Sequence, residues 1–236
     1  MNKLNLLFLI VLSATNIACS NSGSSPSEPP VSHNYEEEST EAISLMKIIE
    51  DKSFDGQVRM AAVSQLAKLD TPNSAQFLID VLRQDMKERT GLWAAVIPAL
   101  GSIGKPEAVP VLLEALTNRE EDWLGREMAA EALGSIADPG AVESLIESAY
   151  YADTRGSAFR ALTSIGDARA AGIFIEALDE TEDPDIIEAA HQGLLQIGRP
   201  AMPALEDALK DYSEESPNLF RRNLVQKIID EISGAS

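Results

Sequence analysis

Few side chains in this sequence have the types and spacing that catalysis or metal binding requires. Among its 236 residues the chain has one cysteine, Cys19, and two histidines, His33 and His191. We find no cysteine–histidine pair, no serine–histidine–aspartate set, no zinc-ligand spacing and no glycine-rich phosphate loop. The sequence therefore predicts a non-catalytic protein with no metal site and no other cofactor. It favours a structural role for His191.

The residues around Cys19 indicate a targeting segment. Lys3 precedes an apolar run over residues 4–12, and small residues then lead to Ala18 and Cys19. This is the pattern of a secretory signal, and the run is shorter than the about 20 residues that span a bilayer. The segment resembles a bacterial lipoprotein signal, in which the cysteine becomes the first residue and carries the lipid. Asn16 departs from that pattern, because an apolar residue is usual there.

We therefore expect a signal peptide at 1–18 and lipidation of Cys19 on the periplasmic side of a bacterial membrane, with plain secretion as the alternative. Residues 19–40 are rich in Ser, Pro and Glu. Such a segment cannot bury enough apolar surface to fold, and we expect a disordered tether. The lipid would be the only membrane contact, with no transmembrane helix in the mature chain.

A five-residue motif that begins with leucine recurs along the rest of the chain. We call this motif the leucine phrase and its first residue the phrase leucine. It reads Leu-Gly-Ser-Ile-Gly at Leu100 and returns in altered form at Leu66, Leu133, Leu162 and Leu194, at spacings of 29 to 34 residues. A period of this length is typical of stacked repeats. Apolar residues precede each phrase at spacings of three and four, as on the core side of an α-helix. No stretch alternates as a strand does.

Start and stop signals divide each period into two helices. Gly104 and Gly166 favour helix ends, and Lys105-Pro106 and Asp138-Pro139 favour helix starts. We predict six helix pairs, with first helices at about 41–51, 73–87, 106–118, 139–151, 168–180 and 200–212. The second helices are expected at about 56–69, 91–103, 123–136, 154–165, 184–197 and 217–232.

The repeat itself resembles a known family. Residues 126–142, REMAAEALGSIADPGAV, match nearly every element of the short HEAT-like repeats of the phycobilisome-lyase type. The resemblance covers about residues 41–233. It implies an all-α, armadillo-like solenoid of about six stacked helix pairs. It says little about function, because one array of this kind serves many partners.

The resemblance places a binding surface on the concave side, which the second helices line. A net charge of −19 argues against nucleic acid as the partner. We expect a protein partner and an acidic patch in the middle of this face, with an ordinary solvated surface as the alternative. The two tryptophans are interpreted either as interface anchors or as gap fillers between repeats. The candidate residues are Trp93, Pro98, Trp123, Glu127, Glu131, Arg160, Glu188 and Gln192.

These observations favour a protein-binding scaffold in the cell envelope, held there by its lipid. The resemblance implies a second possibility, since some proteins of this repeat class attach or detach bilin chromophores. The chain would then be a lyase-like or chaperone-like accessory protein that acts on a chromophore-bearing or other protein client.

Overall fold

The computed structural model describes residues 38–118, 123–180, 183–211 and 219–234. Cys19, His33, the expected signal peptide and nearly all of the expected tether lie outside these residues. The described residues form twelve α-helices and no strand, and none of these helices is long and apolar enough to cross a bilayer. The helices are α1 (Thr40–Glu50), α2 (Gly56–Leu69), α3 (Ser74–Glu88), α4 (Trp93–Ile103), α5 (Val109–Thr117), α6 (Trp123–Ile136), α7 (Val142–Ser148), α8 (Arg155–Ile165), α9 (Ala171–Glu180), α10 (Pro184–Ile197), α11 (Met202–Asp211) and α12 (Leu219–Ser233).

The helices form six pairs, each made of an odd-numbered helix and the even-numbered helix that follows it. This confirms the predicted all-α solenoid. The start of the last four odd-numbered helices differs from the prediction, because each begins with a separate 3₁₀ turn. Three of these turns contain a proline, which has no N–H and suits a tight first turn. The turns are Pro106–Ala108, Pro139–Ala141, Ala168–Ala170 and Arg199–Ala201.

One continuous aliphatic core runs through all six pairs. The five phrase leucines lie at its centre and have no exposed surface: Leu66, Leu100, Leu133, Leu162 and Leu194. Three buried phenylalanines add bulk, and the rings of Phe159 and Phe174 are 5.8 Å apart. Because each pair covers the apolar side of its neighbour, no pair completes this core alone.

Successive even-numbered helices approach each other very closely. Gly101 in α4 faces Ala132 in α6, and Gly134 in α6 faces Ala161 in α8. A Cβ atom at Gly101 would lie 2.8 Å from the Cα atom of Ala132, and one at Gly134 would lie 2.7 Å from the Cα atom of Ala161. Contacts between successive odd-numbered helices are much sparser. The even-numbered row is therefore the closer-spaced row, which lies on the inner side of a curved array.

The residue that follows the phrase leucine is not a glycine in every repeat. Thr163 takes this place in α8, and its hydroxyl oxygen lies 2.9 Å from the carbonyl oxygens of both Phe159 and Ala189, so its single proton is shared between them. The threonine side chain therefore stands between α8 and α10, in the place that glycine takes between α6 and α8.

Several helices end in a left-handed residue, as the sequence predicts for Gly104 and Gly166. Their φ angles are 72° and 66°. Ala137 occupies the same position after α6 with a φ of 56°, and Asp70 does so after α2 with a φ of 42°. This conformation costs a residue with a Cβ atom about 1 kcal/mol, so Ala137 and Asp70 are strained at positions where a glycine would not be.

Candidate binding surfaces

One side of the even-numbered helices faces away from the core and is exposed in five repeats. We name it the even-helix face. Most of its members lie two residues before or two residues after a phrase leucine, as α-helical periodicity requires. They are Ser64, Lys68, Pro98, Ser102, Glu131, Ser135, Arg160, Ser164, Glu188, Gln192 and Gln196. Five of the predicted candidates therefore share one surface, and their role in binding stays a prediction.

In the middle of the even-helix face, Arg160 partly neutralises the acidic patch that the sequence predicts, and the role of this patch in binding stays a prediction. The Nη2 atom of Arg160 in α8 lies 2.9 Å from Glu131 Oε1 and 4.0 Å from Glu127 Oε1, both in α6. Arg160 reaches these carboxylates because Gly134 allows α6 and α8 to approach. The side chains of Arg160 and Glu131 are 57% and 53% exposed, so the pair adds little to stability.

A shallow cleft of about 230 Å³ opens on this face between α4 and α6. Pro98 lies inside α4 and has no N–H, so the carbonyl of Ala94 loses its helical donor and remains available as an acceptor. The cleft therefore combines an apolar wall with a carboxylate. Its lining residues are Pro98, Gly101, Ser102, Met128, Glu131, Ala132 and Ser135.

Near the end of the array, the polar groups of α10 contact each other or α12. Gln192 donates from Nε2 to Glu188 Oε1 at 2.9 Å. His191 is mostly buried, and its Nε2 atom lies 3.5 Å from Glu231 Oε2 in α12. This position agrees with the structural role expected for His191, since the imidazole joins two helices.

The two tryptophans occupy different environments. Trp93 packs against the core between the second and third pairs, where a Cβ atom at Gly125 would lie 3.6 Å from its ring. The packing of Trp93 agrees with the gap-filler alternative, because Gly125 leaves room for the indole, and a role of Trp93 in binding stays a prediction. Trp123, at the start of α6, is 55% exposed and remains a candidate contact residue.

Arg126 joins the loops of two neighbouring pairs. Its Nε atom donates to Asp153 Oδ2 at 2.8 Å, its Nη2 atom contacts the same oxygen, and Nη1 lies 3.4 Å from the carbonyl of Asn118. The Arg126 side chain is only 12% exposed. A charge-assisted contact between partly buried groups is stronger than a surface pair.

Asp85 is a buried carboxylate, 3% exposed, that sequence reasoning missed. One of its oxygens accepts from the N–H and the hydroxyl of Thr90, and the other accepts from the N–H of Trp93 at 2.8 Å. Asp85 thus caps the start of α4 from the preceding helix. The sequence does contain one sign of this burial. Asp85 follows Leu78 and Leu82 at helical spacing, which places it on the side of α3 that faces the core.

Arg169 joins the fourth and fifth pairs in a similar way. It donates to the carbonyl of Pro139 at 2.7 Å, lies 3.3 Å from Glu143 and donates to both oxygens of Asp167 at 2.9 Å. The side-chain hydrogen bonds from Arg169, followed by its backbone N–H, lower the pKa of Asp167 to about 2. The same contacts raise the pKa of Arg169.

No group of three or more His, Cys, Asp or Glu side chains is placed to hold a metal ion in the part of the chain that the structure describes. The surfaces above are therefore built from helix faces and loop contacts.

Comparison with known proteins identifies the repeat. Residues 90–153 match the HEAT-repeat family. The solved complex of CpcE and CpcF of phycocyanin lyase from Nostoc sp. aligns with 90% of this chain and 100% of that chain, with a TM-score of 0.56 at 17% identity. At this identity the likeness shows the fold alone, and it confirms the predicted resemblance.

Curated relatives include deoxyhypusine hydroxylases. The one from Aspergillus niger is 35% identical over 79 residues, which are 33% of this chain and 23% of the relative. The one from Neurospora crassa is 32% identical over 122 residues, which are 50% of this chain and 37% of the relative. The chain thus spans less than two fifths of these relatives.

These relatives overturn the expectation of a non-catalytic scaffold. They are named enzymes, so the scarcity of cysteine and histidine was an insufficient reason to exclude catalysis from an array that supports several functions. The fold conclusion is unaffected. The central repeats of this chain are HEAT repeats, and its described residues have the fold of a HEAT-repeat α-solenoid.

Proposed function

We propose that this chain binds a polypeptide client along the even-helix face, with the cleft between α4 and α6 as the central contact. The observation that carries the proposal is the repeated exposure of two positions beside each phrase leucine in five consecutive repeats. A surface that repeats with the helices suits an extended ligand, because each repeat offers it a similar contact.

The chemistry of the cleft favours a client segment that contains lysine or arginine. The methylene groups of such a side chain fit against Pro98 and Met128, while its cation reaches the carboxylate of Glu131. The Glu131 side chain is paired with Arg160 but remains 53% exposed. The net charge of −19 adds a long-range attraction for a basic segment.

Cross-linking tests this proposal. A photoreactive residue at Ser102 or Ser135 should cross-link a discrete protein in the source cells, and the same residue at Glu114, exposed on α5, should not. Glu131→Lys should abolish the cross-link because it repels a basic segment, whereas Glu114→Lys should retain it. Equal cross-linking from Glu114, or an unchanged result with Glu131→Lys, contradicts the proposal.

A second candidate function is chemical modification of that client. The similarity to deoxyhypusine hydroxylases favours it. Hydroxylation by oxygen chemistry depends on a metal or organic cofactor, and the described residues do not supply a metal-ligand set of three or more acidic, histidine or cysteine side chains. A client that gains the mass of one oxygen atom after incubation with the purified chain would establish this function.

We further propose export and lipid anchoring through Cys19, supported by the apolar run and small residues that precede it. Metabolic labelling with a fatty-acid analogue should mark the chain and should be lost in Cys19→Ala. Absence of label in the unchanged chain would favour plain secretion instead.

A further inference from the structure

The guanidinium of Arg59 lies in a cleft between the loops of the first and second pairs. Arg59 is only 9% exposed. Its Nε atom donates to the carbonyl of Ile49 at 2.8 Å, and no other hydrogen bond or ion pair of Arg59 occurs in the described structure. The cleft is open, has a volume of about 250 Å³, and is lined by Arg59 together with Lys52, Gln84 and Thr90, among others. The two terminal nitrogens of a nearly buried cation are thus left without an acceptor.

Two of the three carboxylates that line this cleft already have other donors. Glu88 accepts hydrogen bonds from Lys52 at 2.8 Å and from Gln84 at 2.9 Å. The hydrogen bond from Gln84, followed by the one from Lys52, lowers the pKa of Glu88. The charge of Arg59 makes the smallest contribution to this lowering. Asp85 is occupied by the donors at the start of α4. Neither of these carboxylates nor Glu50, the third that lines the cleft, lies within ion-pair distance of Arg59.

A later repeat shows one group that an arginine at this position can bind. Arg59 and Arg126 are each the fourth residue of a fourteen-residue helix, and each precedes a phrase leucine by seven residues. Arg126 binds the carboxylate of Asp153, which lies two residues before the first residue of α8. The corresponding residue before α4 is Gly91, which has no side chain. Beside Arg59, the chain therefore has no side chain in the place that the Asp153 carboxylate occupies beside Arg126.

We propose that Arg59 binds a carboxylate of another molecule in this cleft, in the place that Asp153 takes beside Arg126. The terminal nitrogens of Arg59 donate to the ligand, since its Nε is already bound to Ile49. The charge-assisted geometry favours a planar carboxylate acceptor. Inorganic phosphate fits less well, because its second charge would face Glu50 and Glu88, which also line the cleft. The site is remote from the proposed client face and independent of it.

Nuclear magnetic resonance of the arginine Nε–H groups in the full chain tests this site, with the Arg59 resonance assigned through Arg59→Lys. Three probes present the same carboxylate group as part of a small molecule, a side chain or a chain terminus. They are succinate, a blocked peptide with one internal glutamate, and a peptide whose only carboxylate is its C-terminus. At low salt, which preserves such contacts, we expect at least one probe to shift the Arg59 resonance. The probe that binds most tightly identifies the source.

A matched pair of variants isolates the role of the charge. Gly91 has a φ of 86°, and a Cβ atom there would meet nothing within 4 Å. Gly91→Asp and Gly91→Asn therefore carry the same backbone strain and nearly the same shape. Gly91→Asp should supply the carboxylate from within the chain and weaken probe binding by about tenfold or more, whereas Gly91→Asn should retain binding.

Three results would overturn the proposal. They are no shift with any of the three probes, equal binding of inorganic phosphate, and equal effects of Gly91→Asp and Gly91→Asn. Glu131→Lys serves as the control for independence, since it should leave probe binding unchanged while it removes client cross-linking. The two proposals can therefore fail separately.

Discussion

The close approach of the even-numbered helices can be tested by adding a single methyl group. Gly134→Ala places a Cβ atom 2.7 Å from the Cα atom of Ala161, which is backbone and cannot rotate away. Gly172→Ala adds the same group to the first turn of α9, where nothing lies within 4 Å. The chemical change is identical, so the difference between the two variants reports the helix contact.

The expected magnitudes follow from two opposing effects. Replacing a helical glycine by alanine stabilises a protein by roughly 0.5–1 kcal/mol when space allows, and this gain is expected at Gly172. At Gly134 the carbon atoms need about 3.5–4.0 Å, so α6 and α8 must separate by about 1 Å. Overpacking of this kind costs about 1–3 kcal/mol. The separation also loosens the contacts of Leu133 and Leu162, which adds to the loss.

Urea unfolding followed by far-ultraviolet circular dichroism measures both free energies. We expect Gly134→Ala to lower the free energy of unfolding by about 1–3 kcal/mol. In a thermal scan this is about 2–4 °C of melting temperature per kcal/mol. We expect Gly172→Ala to be neutral or stabilising. Gly134→Ala as stable as Gly172→Ala would refute the inferred contact between α6 and α8.

Three further predictions concern single side chains. Ala137→Gly should stabilise the chain by about 0.5–1 kcal/mol in urea unfolding because it relieves a positive φ, and Gly104→Ala, which meets no atom within 4 Å, should destabilise it by a similar amount. Asp85→Asn should cost about 1–3 kcal/mol because an amide cannot accept all the hydrogen bonds that the carboxylate accepts; an unchanged urea midpoint would contradict this. A carbon-detected titration of Asp167 should have its midpoint near pH 2, and Arg169→Gln should move it toward the ordinary value of 3.8. Because the pKa of Asp167 is lowered on folding, its contribution to stability is present above about pH 4 and lost as the pH falls toward 2.

The fold was predictable because the period and the core positions repeat. Leu100 and Leu133 indicate which side of the helix faces the core and where the helix ends. The predicted bounds of the second helices therefore agree closely with the observed ones. The 3₁₀ turns were not predicted, since proline at 106 or 139 marks a helix start without distinguishing a tight turn from an α-turn.

The binding surfaces were only partly predictable. Helical periodicity was enough to place Pro98 and Glu131 on one exposed face. It could not show that Arg160 neutralises the acidic residues, because that contact depends on the distance between α6 and α8. Nor could it show that the Trp93 ring packs toward the core, since the space for the ring is provided by Gly125 in the next helix pair.

The residue after each phrase leucine also sets how closely neighbouring repeats can pack. Two successive glycines let the third helix pair pack tightly against the second and fourth, while Thr163 places its hydroxyl between α8 and α10. The spacing within the even-numbered row therefore depends on which residue stands at this one position. One side chain in a repeat thus tunes the shape presented to a ligand, and exchanging glycine and threonine at positions 134 and 163 would reshape the groove without altering any residue that lines the cleft between α4 and α6.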